Sequence, residues 1–377
     1  MPYWRLSGFY FFYFATLGAL VPYWGLYLKS IGFTPVDIGV LMALLMLSRI
    51  VAPVTWAWIA DHRAQRMRVV RIAALITVLA FSGVFFGTGF WWLAAVMMVF
   101  SFFWNASLPL LEVITMNHSG GNAGAYGRVR LWGSLGFIAS VLALGPVIDK
   151  HGPWWVLPSL MTLMGGIWLY SQLLPESDVQ TSTLHAGRLR DVLRRPDVAA
   201  FLLACFLMQA SHGPYYTFYS IYLEAHGYSK TLIGELWAFA VVCEIGVFLV
   251  MRRLLHHVAL RVVLLMSFAL AALRWLLIGH YPQSLSVLII AQALHAATFG
   301  SFHASAIQMV YRFFTGHHQH RGQAIYGSVS FGLGGAVGSF YSGYTWAALG
   351  PTVSFDIAAL LAGLAFAVAL FLPREGR

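Results

Sequence analysis

Apolar residues run in blocks of about 20 or more along this chain, and short polar or turn-rich pieces separate the blocks. At 1.5 Å of rise per residue, a helix needs about 20 such residues to cross roughly 30 Å of hydrocarbon. The blocks predict twelve spans, near 6–28, 37–60, 70–88, 91–116, 125–148, 153–174, 198–222, 231–251, 261–279, 284–311, 324–347 and 351–372. The longest interruption, PESDVQTSTLHAGRLRDVLRRPD over 175–197, is polar and divides the chain six spans from six. The expected architecture is an all-α membrane protein: an N-terminal six-helix bundle over 1–174, a cytoplasmic linker over 175–197, and a C-terminal six-helix bundle over 198–377.

Composition demands the same solvent. Of 377 residues, 59% are hydrophobic and only 10% charged, against about 25% charged in an average soluble domain. Mean hydropathy is +0.74. A soluble fold of this length has too little interior to hide that surface. Arg5 leads into the first apolar run without a small-residue cleavage pattern, so that run is expected to stay as the first span. Cys205 and Cys243 both lie in apolar runs and give neither a disulfide framework nor metal spacing.

The net charge of +10 could suggest nucleic acid, but its distribution points to a bilayer. With the N-terminus inside, the outer loops hold only Lys29, Lys150 and Lys230, and Arg49 and Arg274 fall within spans. Every other member of the 23 Lys and Arg lies in an inner segment or at the span end beside it. That asymmetry puts both termini in the cytoplasm and accounts for the basic excess with no nucleic-acid partner. The HHQH run at 317–320 sits in a basic loop without acidic or cysteine neighbours. It reads as solvated loop, and no metal site is expected.

The halves repeat. YLKSIGFTPVDIG (27–39) aligns with YLEAHGYSKTLIG (222–234) at an offset of 195, and Gly18/Gly213 falls on the same offset. LWGSLGF (131–137) matches IYGSVSF (325–331) at 194. Six spans is an even number, so both copies enter the membrane from one side. Such a parallel repeat about the membrane normal is the arrangement of major facilitator transporters.

Ionisable groups inside spans are costly and mark pathways or paired sites. Here they are Arg49, Glu112, Arg130, His212, Glu244, Arg274, His295 and His303. Glu235 and Asp356 lie near span ends. Glu112 and Arg130 flank the turn around Gly121 symmetrically, each at most ~13 Å from it, so an acid and an arginine can face each other across a hairpin. Arg128 is about 200° round the helix from Arg130 and reads as an inside anchor. Arg274 and His295 flank the HYPQS loop at equal depth, ~15 Å in, and Glu244 matches Arg274 across the next turn. These three predict one network over three consecutive spans. The repeat did not copy this chemistry: Glu112 and Arg130 map onto Ile307 and Ile325, and Arg49 onto Glu244. That fits one half gripping substrate and the other handling a coupling ion. Arg49 and Asp61 are candidates for a gating or structural role. Tyr216 and Tyr219 stand among aromatics toward the outer end of span seven and can offer ring faces to a substrate.

YGRVRLWGSLGF (126–137), with Glu112 eighteen residues before Arg130, resembles the start of span five in lactose permease and its proton-symporter relatives. There the matching acid and second arginine bind substrate. Arg274 and the histidine of ALH (293–295) fall where that family keeps an arginine and a histidine of its proton network. Three residues on, that family has a proton-carrying glutamate where this chain has Thr298, which leaves Glu244 as the candidate carrier, with Glu235 and His303 behind it. YGRVRLWGS, QASHGPYYTFYSIYLEAHGYS, CEIGVFL, LRWLLIG and LHAATFGSFHA together resemble the bacterial 3-phenylpropionate (hydrocinnamate) permease group. The superfamily's loop between spans two and three survives loosely as ADHRAQRMR (60–68), with Asp61 but without the expected glycines.

The resemblance implies a major facilitator proton symporter of a small aromatic carboxylate in the bacterial inner membrane. Glu112, Arg130, His212, Tyr216 and Tyr219 are then expected at the substrate, and Glu244, Arg274, His295 and His303 in proton coupling, with Arg130 or Arg274 holding the carboxylate. No cofactor is expected beyond the coupling proton, and the fold class implies a functional monomer. A sugar or nucleoside is the alternative substrate, because an acid–arginine pair also suits hydroxyls. A membrane enzyme would need a nucleophile–base set or metal cluster, and the sequence offers none. A sensor would usually add a soluble output domain.

Overall fold

The computed structural model describes residues 1–63, 65–120, 122–175, 189–315 and 318–373, and every element among them is helical. Of the polar linker 175–197, residues 176–188 lie outside this description, as do the side chains of Asp61, Arg63, Arg252 and His320. The helices are α1 (Tyr3–Ser30), α2 (Pro35–Arg63), α3 (Arg66–Phe81), α4 (Phe90–His118), α5 (Ala123–His151), α6 (Val156–Leu173), α7 (Leu189–Leu193), α8 (Pro196–Ser211), α9 (Gly213–Ala225), α10 (Lys230–His257), α11 (Leu260–His280), α12 (Leu285–Ala293), α13 (Phe302–Phe313), α14 (Gln319–Gly327), α15 (Gly335–Leu349) and α16 (Pro351–Ala369). Among the described residues, ten helical segments are long and apolar enough to cross a membrane. Such segments satisfy their own backbone hydrogen bonds, which lipid cannot do for them. Trp91 is 82% exposed, Phe86 80% and Phe371 81%, an apolar exterior that only lipid or its interface accommodates.

Three predicted spans are not continuous α-helix. The one near 198–222 breaks at His212 between α8 and α9, because Pro214 lacks the N–H that would carry the ladder through. The one near 284–311 turns from α12 into a π-helical stretch, Ala296–Ser301, before α13. The one near 324–347 passes through a second π-helical stretch, Ser328–Gly334, between α14 and α15. π segments of this kind are frequent at functional sites.

Helix ends are fastened locally. Thr34 and Asp37 cap the start of α2 reciprocally: Thr34 N–H donates to Asp37 Oδ2 (3.0 Å) and Asp37 N–H to Thr34 Oγ1 (3.2 Å). Asp149 accepts from the N–H groups of Lys230 (2.9 Å) and Thr231 (2.8 Å) at the start of α10, where the helix dipole favours an anion. Arg71 donates to Leu174 O (2.6 Å) past α6 and Arg261 to Leu370 O (2.5 Å) past α16, so some of the arginines cap helix C-termini.

Two compact units emerge. The first holds Met1–Phe33, Ser48–Ser182 and Tyr228–Ala238; the second holds Thr34–Leu47, Thr183–Gly227 and Phe239–Arg377. The first part of α2 therefore belongs with the second unit, and the first part of α10 with the first. Each unit has a close helix crossing at a glycine. In the first, a Cβ on Gly136 would meet Phe11 O at 2.1 Å; in the second, one on Gly334 would meet Phe206 O at 2.7 Å. Phe11 and Phe206 are 195 apart, whereas the two glycines are 198 apart and so do not fall on the repeat register. Gly32 (φ +94°) and Gly227 (φ +84°) make the same left-handed turn after α1 and α9, which a side chain would strain.

A close crossing lies beside the break at His212. A Cβ on Gly213 would lie 2.2 Å from the carbonyl of Gly338 in α15, and backbone cannot yield as a side chain tip does. Gly213→Ala is expected to cost about 1–3 kcal/mol by forced overpacking. Thermal unfolding in detergent checks this; an unchanged midpoint would show that the crossing is slack.

Candidate functional site

In the first unit the polar cluster gathers on α1, α4 and α5. Asn122 caps α5 by accepting from Ala125 N–H (3.0 Å), which fixes the helix carrying both arginines of the YGRVR motif. Arg128 is exposed and Arg130 half-buried, as their separation round the helix requires. The Arg130 guanidinium lies 3.9 Å from the centroid of the Phe14 ring and 5.7 Å from that of Tyr10, a cation–π seat in an apolar setting. Glu112 lies within electrostatic range of Arg130, Tyr10 and Tyr126. The predicted pairing across the α4–α5 hairpin is therefore one of proximity. Arg49 joins through Tyr13, which feels Arg49, Glu112 and Arg130 together and stacks on Trp104 at 5.0 Å.

In the second unit Arg274 of α11 is completely buried. Its Nε donates to Ala291 O (2.9 Å), Nη2 to Gln292 Oε1 (3.1 Å) and Nη1 to Thr298 Oγ1 (3.3 Å). Its guanidinium also lies over the rings of Tyr215 (4.1 Å) and Trp275 (4.6 Å). A buried charge is tolerable only when paired or hydrogen-bonded this fully. Tyr215 closes the circuit by donating to Gln292 Oε1 (3.0 Å). Glu244 of α10 meets His295, with Oε2 3.7 Å from Nε2. The contacts around Arg274 and the contact of Glu244 with His295 are both part of the expected three-residue set. Gly300 in the π stretch makes room for the acid: a Cβ there would meet Glu244 Cγ at 3.1 Å.

His212 sits at the helix break, fully buried, and its Nδ1 donates to Met208 O (2.8 Å). That hydrogen bond leaves Nε2 as the bare nitrogen, and among the described residues Nε2 has no partner. The ring stacks on Tyr216 (5.6 Å) and stands edge-on to Trp275 (4.8 Å). Tyr219 is buried against Tyr215 at 4.9 Å, whereas Tyr216 is half-buried. His303 lies one helical stretch beyond, its Nδ1 3.1 Å from Tyr326 Oη. Glu235 is exposed. The side chain of Asp61 lies outside the described residues. One sequence reading needs correction: of the HHQH run, His318 is buried rather than solvated, while His317 and the side chain of His320 fall outside the description.

Sequence reasoning missed Gln292 and Thr298 as the partners of Arg274. Thr298 read only as a lost acid, and Gln292 had one faint signal, an amide three residues before His295 in an apolar span. Tyr10, Phe14, Tyr126 and Trp275 had none, since an aromatic in a span reads equally as core.

Comparison with known proteins identifies the family. The family model described as "MFS_1 like family" matches residues 3–357. The chain is 30% identical, over 94% of its length and 93% of the relative's, to a probable 3-phenylpropionic acid transporter of Escherichia coli K12. It is 26% identical, over 89% of its length and 86% of the relative's, to a maltose permease of Geobacillus stearothermophilus. Its fold is similar to the crystal structure of the nucleoside transporter NupG, with a TM-score of 0.83 at 16% identity, covering 99% of this chain and 98% of that one. These relatives are transporters and not enzymes. The chain belongs to the MFS_1-like family, and it is a multi-pass membrane transporter of the major facilitator type.

Proposed function

We propose that the protein takes up a small aromatic carboxylate such as 3-phenylpropionate together with a proton, by alternating access, in the bacterial inner membrane. Twelve spans with both termini in the cytoplasm complete this reading, supported by the placement of the basic residues. The observation that carries it is the difference between the two arginines. Arg274 commits each of its three nitrogens to a partner within its own unit, Ala291, Gln292 or Thr298. Arg130 instead rests on aromatic faces, half-buried, beside Glu112 and within hydrogen-bonding reach of the Tyr126 hydroxyl. Arg130 is therefore the cation suited to a carboxylate, through charge-assisted hydrogen bonds, with Tyr10 and Phe14 offering surface to an aromatic ring. Glu244, against His295 in an apolar span, is the group that binds and releases the proton. Arg274 and Gln292 hold the adjoining helices in place.

Arg130→Ala should weaken binding of 3-phenylpropionate by about 10- to 100-fold, the value of a hydrogen bond to a charged group. Arg128→Ala should change it by no more than a few-fold, as for an exposed charge. Scintillation-proximity binding to purified protein measures both, and the reverse ranking would move the substrate away from Arg130.

A sugar or nucleoside remains the second reading, because Glu112 beside Arg130 also suits hydroxyls and a maltose permease is among the relatives. Competition by phenylpropionate, disaccharides and nucleosides in proteoliposomes separates the two.

A further inference from the structure

Three rings stand in a column where α12 passes through the π stretch into α13. The imidazole of His295 lies parallel to the Phe299 ring, 5.3 Å away and inclined by 7°. Phe299 lies parallel to the imidazole of His303, 6.2 Å away and inclined by 13°. Residues four apart in an α-helix drift round its axis, and the wider winding of the π stretch (i→i+5 bonding) opposes that drift. Without that stretch the three rings would fan out.

The column has an imidazole at each end, and each imidazole has its own polar partner. His295 meets Glu244 at 3.7 Å, and His303 meets the hydroxyl of Tyr326 at 3.1 Å. Between them is a phenyl ring, which has no lone pair or dissociable N–H and cannot pass a proton. Phe331 stands edge-on to Phe299 (6.2 Å), His303 (5.6 Å) and Tyr326 (5.8 Å) and walls this side of the column. His303 lies on the Arg312 side of Phe299, toward the basic end of α13. The charged and titratable groups around the column are Glu244 from α10, Arg274 from α11 through Thr298, His212 and Tyr215 from α8–α9, and Tyr326 from α14 with Cys205 of α8 near it.

We propose that His303, with Tyr326, is a second proton-accepting site and that Phe299 is the valve between it and the Glu244–His295 pair. The inference rests on the proton-coupled reading of that pair. In the step, a proton leaves the Glu244 carboxyl or the His295 imidazolium and binds a lone pair on the neutral imidazole of His303. A water molecule carries it when the Phe299 ring swings out of the column. The donor reverts to its unprotonated form, one positive charge moves, and no other bond changes.

The test uses the full chain in proteoliposomes loaded with a pH-sensitive dye, under an inward potential set by potassium and valinomycin, without substrate. Phe299→Ala should raise proton entry about tenfold over wild type, as removal of ~1.4 kcal/mol from a barrier would. Phe299→Leu, which keeps an apolar plug, should stay near wild type, and adding His303→Asn to Phe299→Ala should restore the wild-type rate. Should the alanine variant not assemble, Phe299→Val takes its place. A double variant that leaks as fast as Phe299→Ala alone would overturn the role of His303. An alanine variant no leakier than wild type would overturn the valve. The proton-coupled reading is judged separately: wild-type uptake of 3-phenylpropionate that moves no protons removes it, and that arm leaves the substrate-free comparison standing on its own result.

Discussion

Replacing Glu244 with glutamine should abolish accumulation of substrate against its gradient while leaving exchange across the membrane intact. The amide is close to the carboxylate in shape, so the contact with Gly300 and the place beside His295 are kept. What is lost is the ability to take up and release a proton. In a proton symporter each unit of pH difference contributes ~1.4 kcal/mol per proton, about tenfold in concentration ratio. The variant should therefore show a ratio of about one at any imposed pH difference, with exchange of preloaded substrate still measurable. Both are read in the same proteoliposomes with labelled 3-phenylpropionate. Accumulation that persists in Glu244→Gln would show that another group carries the proton.

Arg274→Leu should damage the protein differently, through stability. The wild-type guanidinium is wholly enclosed and serves three acceptors, Ala291 O, Gln292 Oε1 and Thr298 Oγ1, beneath the rings of Tyr215 and Trp275. Leucine removes the donors and leaves those acceptors buried with fewer partners. It also vacates the space the planar group filled. Breaking a buried network of this kind costs about 3–5 kcal/mol. Arg274→Lys should recover only part of that, because an ammonium lacks the planar fork that reaches neighbouring acceptors on one helix. Thermal unfolding in detergent should rank wild type above Lys and Lys above Leu. If Arg274→Leu unfolds like wild type yet no longer binds 3-phenylpropionate, Arg274 is the substrate's ligand and the assignment to Arg130 is wrong.

These two arginines show where sequence reading stops. Both fall in or beside apolar spans, and each matches an acid or a histidine in depth. Depth follows from a fixed rise per residue, so the level of Glu112 with Arg130 and of Arg274 with His295 was legible. Direction round the helix was legible only locally, as in the opposite faces of Arg128 and Arg130. Which acceptors surround a guanidinium depends on neighbouring helices, whose rotations nothing in a linear sequence records. Gln292 and Thr298 therefore stayed hidden, although both stand in plain view in AQALHAAT.

By itself the sequence determined the solvent and the helical class, because burial cost in lipid and helix geometry act on composition and spacing alone. It also determined which ionisable residues lie within spans. Only the tertiary structure decided that Arg274 donates to Ala291, Gln292 and Thr298, that Glu244 meets His295, and that Phe299 stands between two imidazoles. The reason is that three spans are interrupted, at His212 and by two π stretches, and each interruption rotates the side chains beyond it. Pro214 marks the first interruption in the sequence, but where the side chains beyond each interruption come to rest depends on close packing, as at Gly213 against Gly338 and Gly300 against Glu244.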